Sequence, residues 1–188
     1  MAPPDFLTKP TLSGELVVLR PVVADDVPAL RPMFSDPEVG RLTGTRGGDP
    51  GEERLREWYG SRGGQDGRLD LAVVERGSGV VVGEVVLNEW DAGNASCGFR
   101  ISFVPGAFGR GMGTEATRLV VGYGFEVLGL HRISLEVYAF NPRARRVYEK
   151  VGFVAEGVLR DALRWDGEWV DATVMSMLAP EWQRARAQ

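Results

Sequence analysis

The chain carries little of the chemistry that metal and redox sites are built from: one cysteine, Cys97, and one histidine, His131. A single thiol rules out an intrachain disulfide and a cysteine-rich metal site, and one histidine leaves a His/Cys zinc site without ligands. No metal is expected. No run approaches the roughly 18 apolar residues of a membrane-spanning helix, so no membrane partner is expected either. The opening Met1-Ala2-Pro3-Pro4-Asp5 has neither the basic nor the apolar block of a secretory signal. Cations are outnumbered, 22 Lys and Arg against 26 Asp and Glu for a net charge of -4, which leaves no basic surplus for nucleic acid. A mildly acidic chain is better suited to a cationic small molecule or a basic peptide. No internal repeat of about 20–50 residues appears. A cytoplasmic protein is the reading.

What is there fits one globular unit. With 188 residues, 44% hydrophobic and 26% charged, the chain can bury a substantial core. Residues 1–188 are read as a single domain, with 1–11 and 183–188 as flexible tails.

A short apolar run at 16–20 reads as a first strand, and Asp25-Asp26 open a helix carrying Val27, Leu30, Met33 and Phe34. Residues 41–51 read as loop and 52–62 as a helix with Leu55, Trp58 and Tyr59 on one face. Alternating apolar runs at 69–75, 80–87 and 95–104 read as a strand meander. Residues 114–128 place Ala116, Leu119, Val120, Tyr123 and Val127 at helical spacing, and 133–138 alternate again. Residues 142–151 form a helix with Asn141 at its N-cap, Pro142 at N1 and Gly152 past its end. Strands at 153–159 and 169–178 close around Asp166-Gly167. The order predicts a mixed α/β sheet with helices against it.

The stretch Phe103-Val104-Pro105-Gly106-Ala107-Phe108-Gly109-Arg110-Gly111-Met112-Gly113-Thr114-Glu115-Ala116 joins a strand to a helix through a glycine-dense turn. Glycines let an anion approach the backbone, and exposed N–H groups at a helix start favour a pyrophosphate. A purely structural turn has the same appearance. The Gly-Lys-Ser/Thr end of a Walker loop is missing, and the turn lies too far along the chain for a Rossmann fingerprint.

Downstream stands Leu135-Glu136-Val137-Tyr138-Ala139-Phe140-Asn141-Pro142-Arg143-Ala144-Arg145-Arg146-Val147-Tyr148-Glu149-Lys150-Val151-Gly152-Phe153. With residues 109–116 it resembles the paired signatures of the GNAT superfamily, in particular its RimJ/RimL-like branch. The N-terminal Leu12-Ser13-Gly14-Glu15 and Asp36-Pro37-Glu38-Val39, and the later Glu156-Gly157, Asp166-Gly167 and Met175-Ser176, resemble the same branch. The resemblance runs from about residue 12 to 182.

The resemblance implies an α+β GNAT fold: about seven strands, about four helices and a V-shaped splay between the two central strands. It implies an N-acyltransferase using acetyl-CoA or another short acyl-CoA on the amine of a small molecule or a protein N-terminus, with a homodimer common in the branch. A non-catalytic acyl-CoA sensor is the alternative. Coenzyme contacts would come from Phe103, Val104, Phe108, Gly109, Arg110, Gly111, Met112, Gly113, Thr114, Asn141 and Arg146. The family's loop usually has Gln or Arg where Phe108 stands, which implies altered phosphate binding.

Each role has a plainer counterpart. Tyr148 would protonate the departing thiolate, or is a core aromatic. Glu136 would take the amine's proton, or lies on a solvated face; Glu84, Glu89 and Asp91 are its rivals and, with Trp58, candidates for acceptor binding. Asn141 would bond the pantetheine arm, cap its helix, or both. Cys97 and His131 read as structural. Residues 41–67 are where an acceptor lid is expected.

Overall fold

The structure, a computed structural model, describes residues 4–186. Its order is β1 (Leu12–Ser13), β2 (Val17–Pro21), a 3-10 turn (Ala24–Asp26), α1 (Val27–Leu30), α2 (Pro32–Ser35), α3 (Pro37–Thr43) and α4 (Glu52–Gly60). A second 3-10 turn (Arg62–Gly64) leads to β3 (Leu69–Glu75), β4 (Val81–Asp91), β5 (Ser96–Phe103), α5 (Met112–Glu126) and β6 (Arg132–Tyr138). The chain ends with α6 (Pro142–Val151), β7 (Val154–Trp165), β8 (Glu168–Leu178) and α7 (Ala179–Arg186). The strands form one eight-stranded sheet in the order β1-β2-β3-β4-β5-β6-β8-β7. All neighbours are antiparallel except β5 and β6. No helix of the described residues is long and apolar enough to cross a membrane.

The expected mixed sheet is there, with one strand more than about seven and more helices than about four. The N-terminal helix divides because Pro32 and Pro37 lack the N–H that a continuous helix would use. Asp36 restarts the chain by accepting from the Val39 amide at 2.9 Å. At its centre the sheet buries both faces. On one, α5 packs Ala116, Val120 and Val121 against Leu87, Phe99 and Ile133; on the other, Val27, Leu30, Met33, Leu55 and Tyr59 cover Ala72.

Both stretches read as tails are in part tied down. Phe6 is buried, and the Lys9 ammonium donates to the carbonyls of Phe6, Gln65 and Arg68 at 2.6–2.7 Å. At the other end α7 runs through 183–186. Trp182 lies against Gly122, its Nε1 donates to Glu126 at 2.7 Å, and Arg186 pairs with the same carboxylate. Residues 1–3 and 187–188 lie outside the described residues.

Candidate active site

The sheet is built to open in the middle. β5 and β6 pair only at Ser96–Arg132, Cys97–Ile133 and Gly98–Ser134. Beyond Gly98, β5 continues to Phe103 held only by β4, and beyond Ser134, β6 continues to Tyr138 held only by β8. The two strands therefore leave backbone groups facing a fork between them, where an extended polar chain can bond.

The mouth of the fork is the glycine turn. Gly109 and Gly111 sit at φ +79 and +81, conformations that cost a side-chain-bearing residue strain, and a Cβ on Gly109 would meet nothing within 4 Å. The amides of Gly111, Met112 and Gly113 donate to no acceptor among the described residues. Open amides, the positive end of α5 and space without side chains suit an anion such as a pyrophosphate. Glu115, in the first turn of α5, accepts from the amides of Glu15, Leu16 and Val17, each at 2.8 Å, and so fixes this helix end to the β1–β2 turn.

A cleft of about 1140 Å³ contains fork and loop together. Tyr148 lines it; its ring is buried edge-on against Phe99 and Phe153, and its hydroxyl bonds to no group among the described residues. Burial pushes its pKa up and keeps the phenol protonated. Cys97 is buried in the core and its thiol is pushed up to about 12, so thiolate chemistry is closed to it. Asn141 caps α6 by accepting from the Ala144 amide at 3.1 Å and donates to the Leu42 carbonyl at 3.3 Å. One lone pair and one N–H of its amide stay free toward the cleft it lines.

Of the other expected coenzyme contacts, Phe103, Phe108, Gly109, Gly111, Gly113, Thr114 and Arg146 line the cleft. Three do not. Arg110 turns outward to Glu75 at 2.7 Å, Met112 is buried in the core, and the Val104 amide is already spent on the Val82 carbonyl at 2.9 Å. A carbonyl-polarising N–H must therefore come from the open side of β5. Among the acceptor candidates, Trp58, Glu84 and Glu89 line the cleft; Asp91 does not, because its carboxylate closes the turn with Asn94. The stretch 41–67, where a lid is expected, holds the end of α3, a loop, α4 and the second 3-10 turn; Arg41 lies over the Phe140 ring, and Thr45, Gly47 and Gly48 of the loop line the cleft.

Glu136 faces the cleft, opposite in direction to the buried Leu135 and Val137. Glu84 lies on β4 opposite Ser102 and accepts from the Tyr59 hydroxyl at 2.7 Å. Removal from water raises its pKa despite that hydrogen bond.

The cleft holds cations of which the sequence reading named only Arg146 as a contact. Seven line it, Arg46, Arg54, Arg68, Arg100, Arg143, Arg146 and Lys150, against four acids, Asp70, Glu84, Glu89 and Glu136. Arg143, Arg146 and Lys150 recur at i, i+3 and i+7 on one face of α6, a spacing that was visible in the sequence. Arg143 stacks on the Phe108 ring at 4.1 Å and so brings a guanidinium beside the glycine turn.

Residues 17–154 match the family model described as the acetyltransferase (GNAT) domain. The chain belongs to this family. It is an acyl-CoA-dependent N-acyltransferase, the activity expected from its sequence. It is 25% identical over 173 residues to the Uncharacterized N-acetyltransferase YoaA of Bacillus subtilis, covering 91% of this chain and 98% of that protein. Two matches are partial: 45% identity to the Probable N-acetyltransferase YjcK of Bacillus subtilis over 39% of this chain and 40% of that protein, and 34% to the spermidine N(1)-acetyltransferase of Vibrio cholerae over 56% and 61%. Among solved structures, a GNAT-family acetyltransferase from Bacillus anthracis superposes with a TM-score of 0.80 at 26% identity, covering 92% of this chain and all of that one. The spermidine N-acetyltransferase of Vibrio cholerae in complex with CoA and spermine shares the fold, with a TM-score of 0.82 at 24% identity over 90% of this chain and 99% of that one.

Proposed function

We propose that this GNAT enzyme joins acyl-CoA and a small-molecule amine in one ternary complex and transfers the acyl group directly. The observation that carries the reading is the early end of the β5–β6 ladder, at Gly98 and Ser134, in the same cleft as a glycine turn with open amides. The loop 109–114 and the α6 cations suit the coenzyme's phosphates, and the open edge of β5 suits its pantetheine amides.

The acceptor arrives as an ammonium and needs to lose a proton before its nitrogen can attack. Glu84 takes that role best, because a proton affinity raised above the usual carboxylate range is better matched to the task near neutral pH. Glu136, across the fork, orients the same amine. The nitrogen's lone pair forms the new N–C bond, the C–S bond breaks, and the Tyr148 hydroxyl gives its proton to the departing sulfur; the second proton, shed by the acylated nitrogen, passes through solvent and restores the phenol. The inert Cys97 fits this direct route, since no acyl-enzyme is formed. A polyamine-type acceptor is suggested by the spermidine relatives, and a protein N-terminus by the resemblance to the RimJ/RimL-like branch.

Thermal shift with acetyl-CoA and with ATP tests the donor site, because a ligand that binds only the native state must raise the melting temperature. Acetyl-CoA should stabilise the wild type and not Gly111→Trp, with ATP inert on both. Thiol release should then fall at least ~10²-fold in Tyr148→Phe at unchanged acetyl-CoA affinity. No shift with acetyl-CoA rejects the reading; binding without thiol release for any amine leaves a sensor.

A further inference from the structure

The cationic cleft of this acidic protein has an uneven explanation. Arg143, Arg146 and Lys150 lie along α6 beside the glycine turn, where the coenzyme's phosphates account for them. Arg68 is matched by a two-pronged bond to Asp70, 2.7 Å on each arm. Arg46, Arg54 and Arg100 remain, and none takes part in an ion pair among the described residues.

Arg100 is the most exactingly placed of the three. It stands on β5 two residues past Gly98, the last residue to pair with β6, and by alternation shares the face of Gly98 and Ser102. Three carboxylates border it. Glu84 on β4 lies opposite Ser102, and Glu136 on β6 stands two residues past Ser134, the partner of Gly98. Glu89 reaches over Gly98, where an added Cβ would come within 2.9 Å of its Oε2. The apex of the fork therefore presents one unpaired guanidinium among acids, with Arg46 and Arg54 on the outer wall.

That arrangement selects among amines. A polyamine bears only positive charge and would meet Arg100 at the very place its nitrogen must react. A protein N-terminus has no carboxylate near its amine. An amine with a carboxylate a few bonds away matches both signs: a planar guanidinium receives the carboxylate through two parallel N–H bonds while the acids hold the ammonium. We infer that the acceptor is a free amino acid, its carboxylate held by Arg100 and its amine turned to Glu84 and Glu136. This inference rests on the proposed N-acyl transfer and narrows its acceptor.

The test is thiol release from acetyl-CoA with a panel of free amino acids, their amides, spermidine and a short peptide blocked at its C-terminus. At least one amino acid should exceed its own amide by about tenfold or more in kcat/KM, as expected when a charged partner is removed from a built site. Arg100→Leu should abolish that preference by raising KM for the amino acid at least about tenfold more than for its amide, with the acetyl-CoA thermal shift retained, and Arg100→Lys should restore part of it. Because Arg100 is exposed, both variants keep the core intact, which their melting temperatures will verify. Spermidine, peptide or amide used as well as every amino acid, or a preference that survives in Arg100→Leu, overturns the inference while leaving the acyltransferase standing. Absence of an acetyl-CoA thermal shift in the wild type, seen before any acceptor is added, overturns both.

Discussion

In the proposed mechanism Tyr148 and Glu84 depend on the same physical effect for different purposes. Both are withdrawn from water, which favours the neutral form of each. For Tyr148 this keeps a proton on the phenol at every pH of interest; for Glu84 it moves a carboxylate's titration toward neutrality. With Glu84 as base, kcat/KM should rise with pH through a pKa above the ordinary 4.5, and Glu84→Gln should lose that limb along with most activity. Stability moves the other way. Folded Glu84 holds its proton more tightly than unfolded Glu84, so the native state loses ground as pH rises from 4.5 through the raised value. Glu84→Gln should flatten that stretch of a Tm-against-pH curve, whether or not it is active. Glu84 was named in the sequence only as a rival to Glu136, because strand alternation gives a side chain's face and not its distance from water. The turn of Arg110 toward Glu75, away from the cleft, was hidden for the same reason: the partner is 35 residues away.

At the scale of elements, what was legible was local. The glycine turn, the Asn141 cap with Pro142 behind it, and the Gly152 stop are set by neighbours within a turn, and all appear where their spacing puts them. Elements that depend on distant partners were not legible. α7 has few apolar residues of its own and forms because Trp182 finds the flat spot left by Gly122, next to Phe125 at 6.1 Å. Likewise β7 runs on to Trp165 although its outer residues are exposed, because β8 supplies a ladder along its length. The dependence of α7 on one side chain is measurable. Trp182→Ala removes a buried indole and its bond to Glu126, which should cost about 3–5 kcal/mol. For a chain of this size that is a fall on the order of 10 °C in Tm. The loss should leave acetyl-CoA affinity unchanged, since α7 does not line the cleft.

For the molecule as a whole, net charge and local charge have opposite signs. The formal charge is -4, yet the cleft walls carry more cations than acids. A composition-based charge argument therefore describes the outer surface and does not give the field inside the site, where field lines are focused by the walls around them. On α6, Arg145 is neutralised by Glu149 on the outer face, whereas Arg146 beside it faces the cleft without an ion pair among the described residues. Arg146→Gln should raise KM for acetyl-CoA several-fold at low salt, and the gap from wild type should close by about 0.5 M salt as the screening length falls toward a few ångströms. Arg145→Gln should change neither quantity.

An ordinary sheet has two edges; this one, parting after Gly98 and Ser134, has four. The extra pair lies in the interior of the molecule and is the kind of unpaired rim that proteins otherwise shield from foreign strands. Here the rims cannot be blunted by charge or closed by a bulge without destroying the slot between them. In the proposed mode of binding they are covered by the coenzyme's own amides. On that proposal the donor substrate is also the missing piece of the enzyme's own secondary structure, and its supply sets how much of the protein is complete.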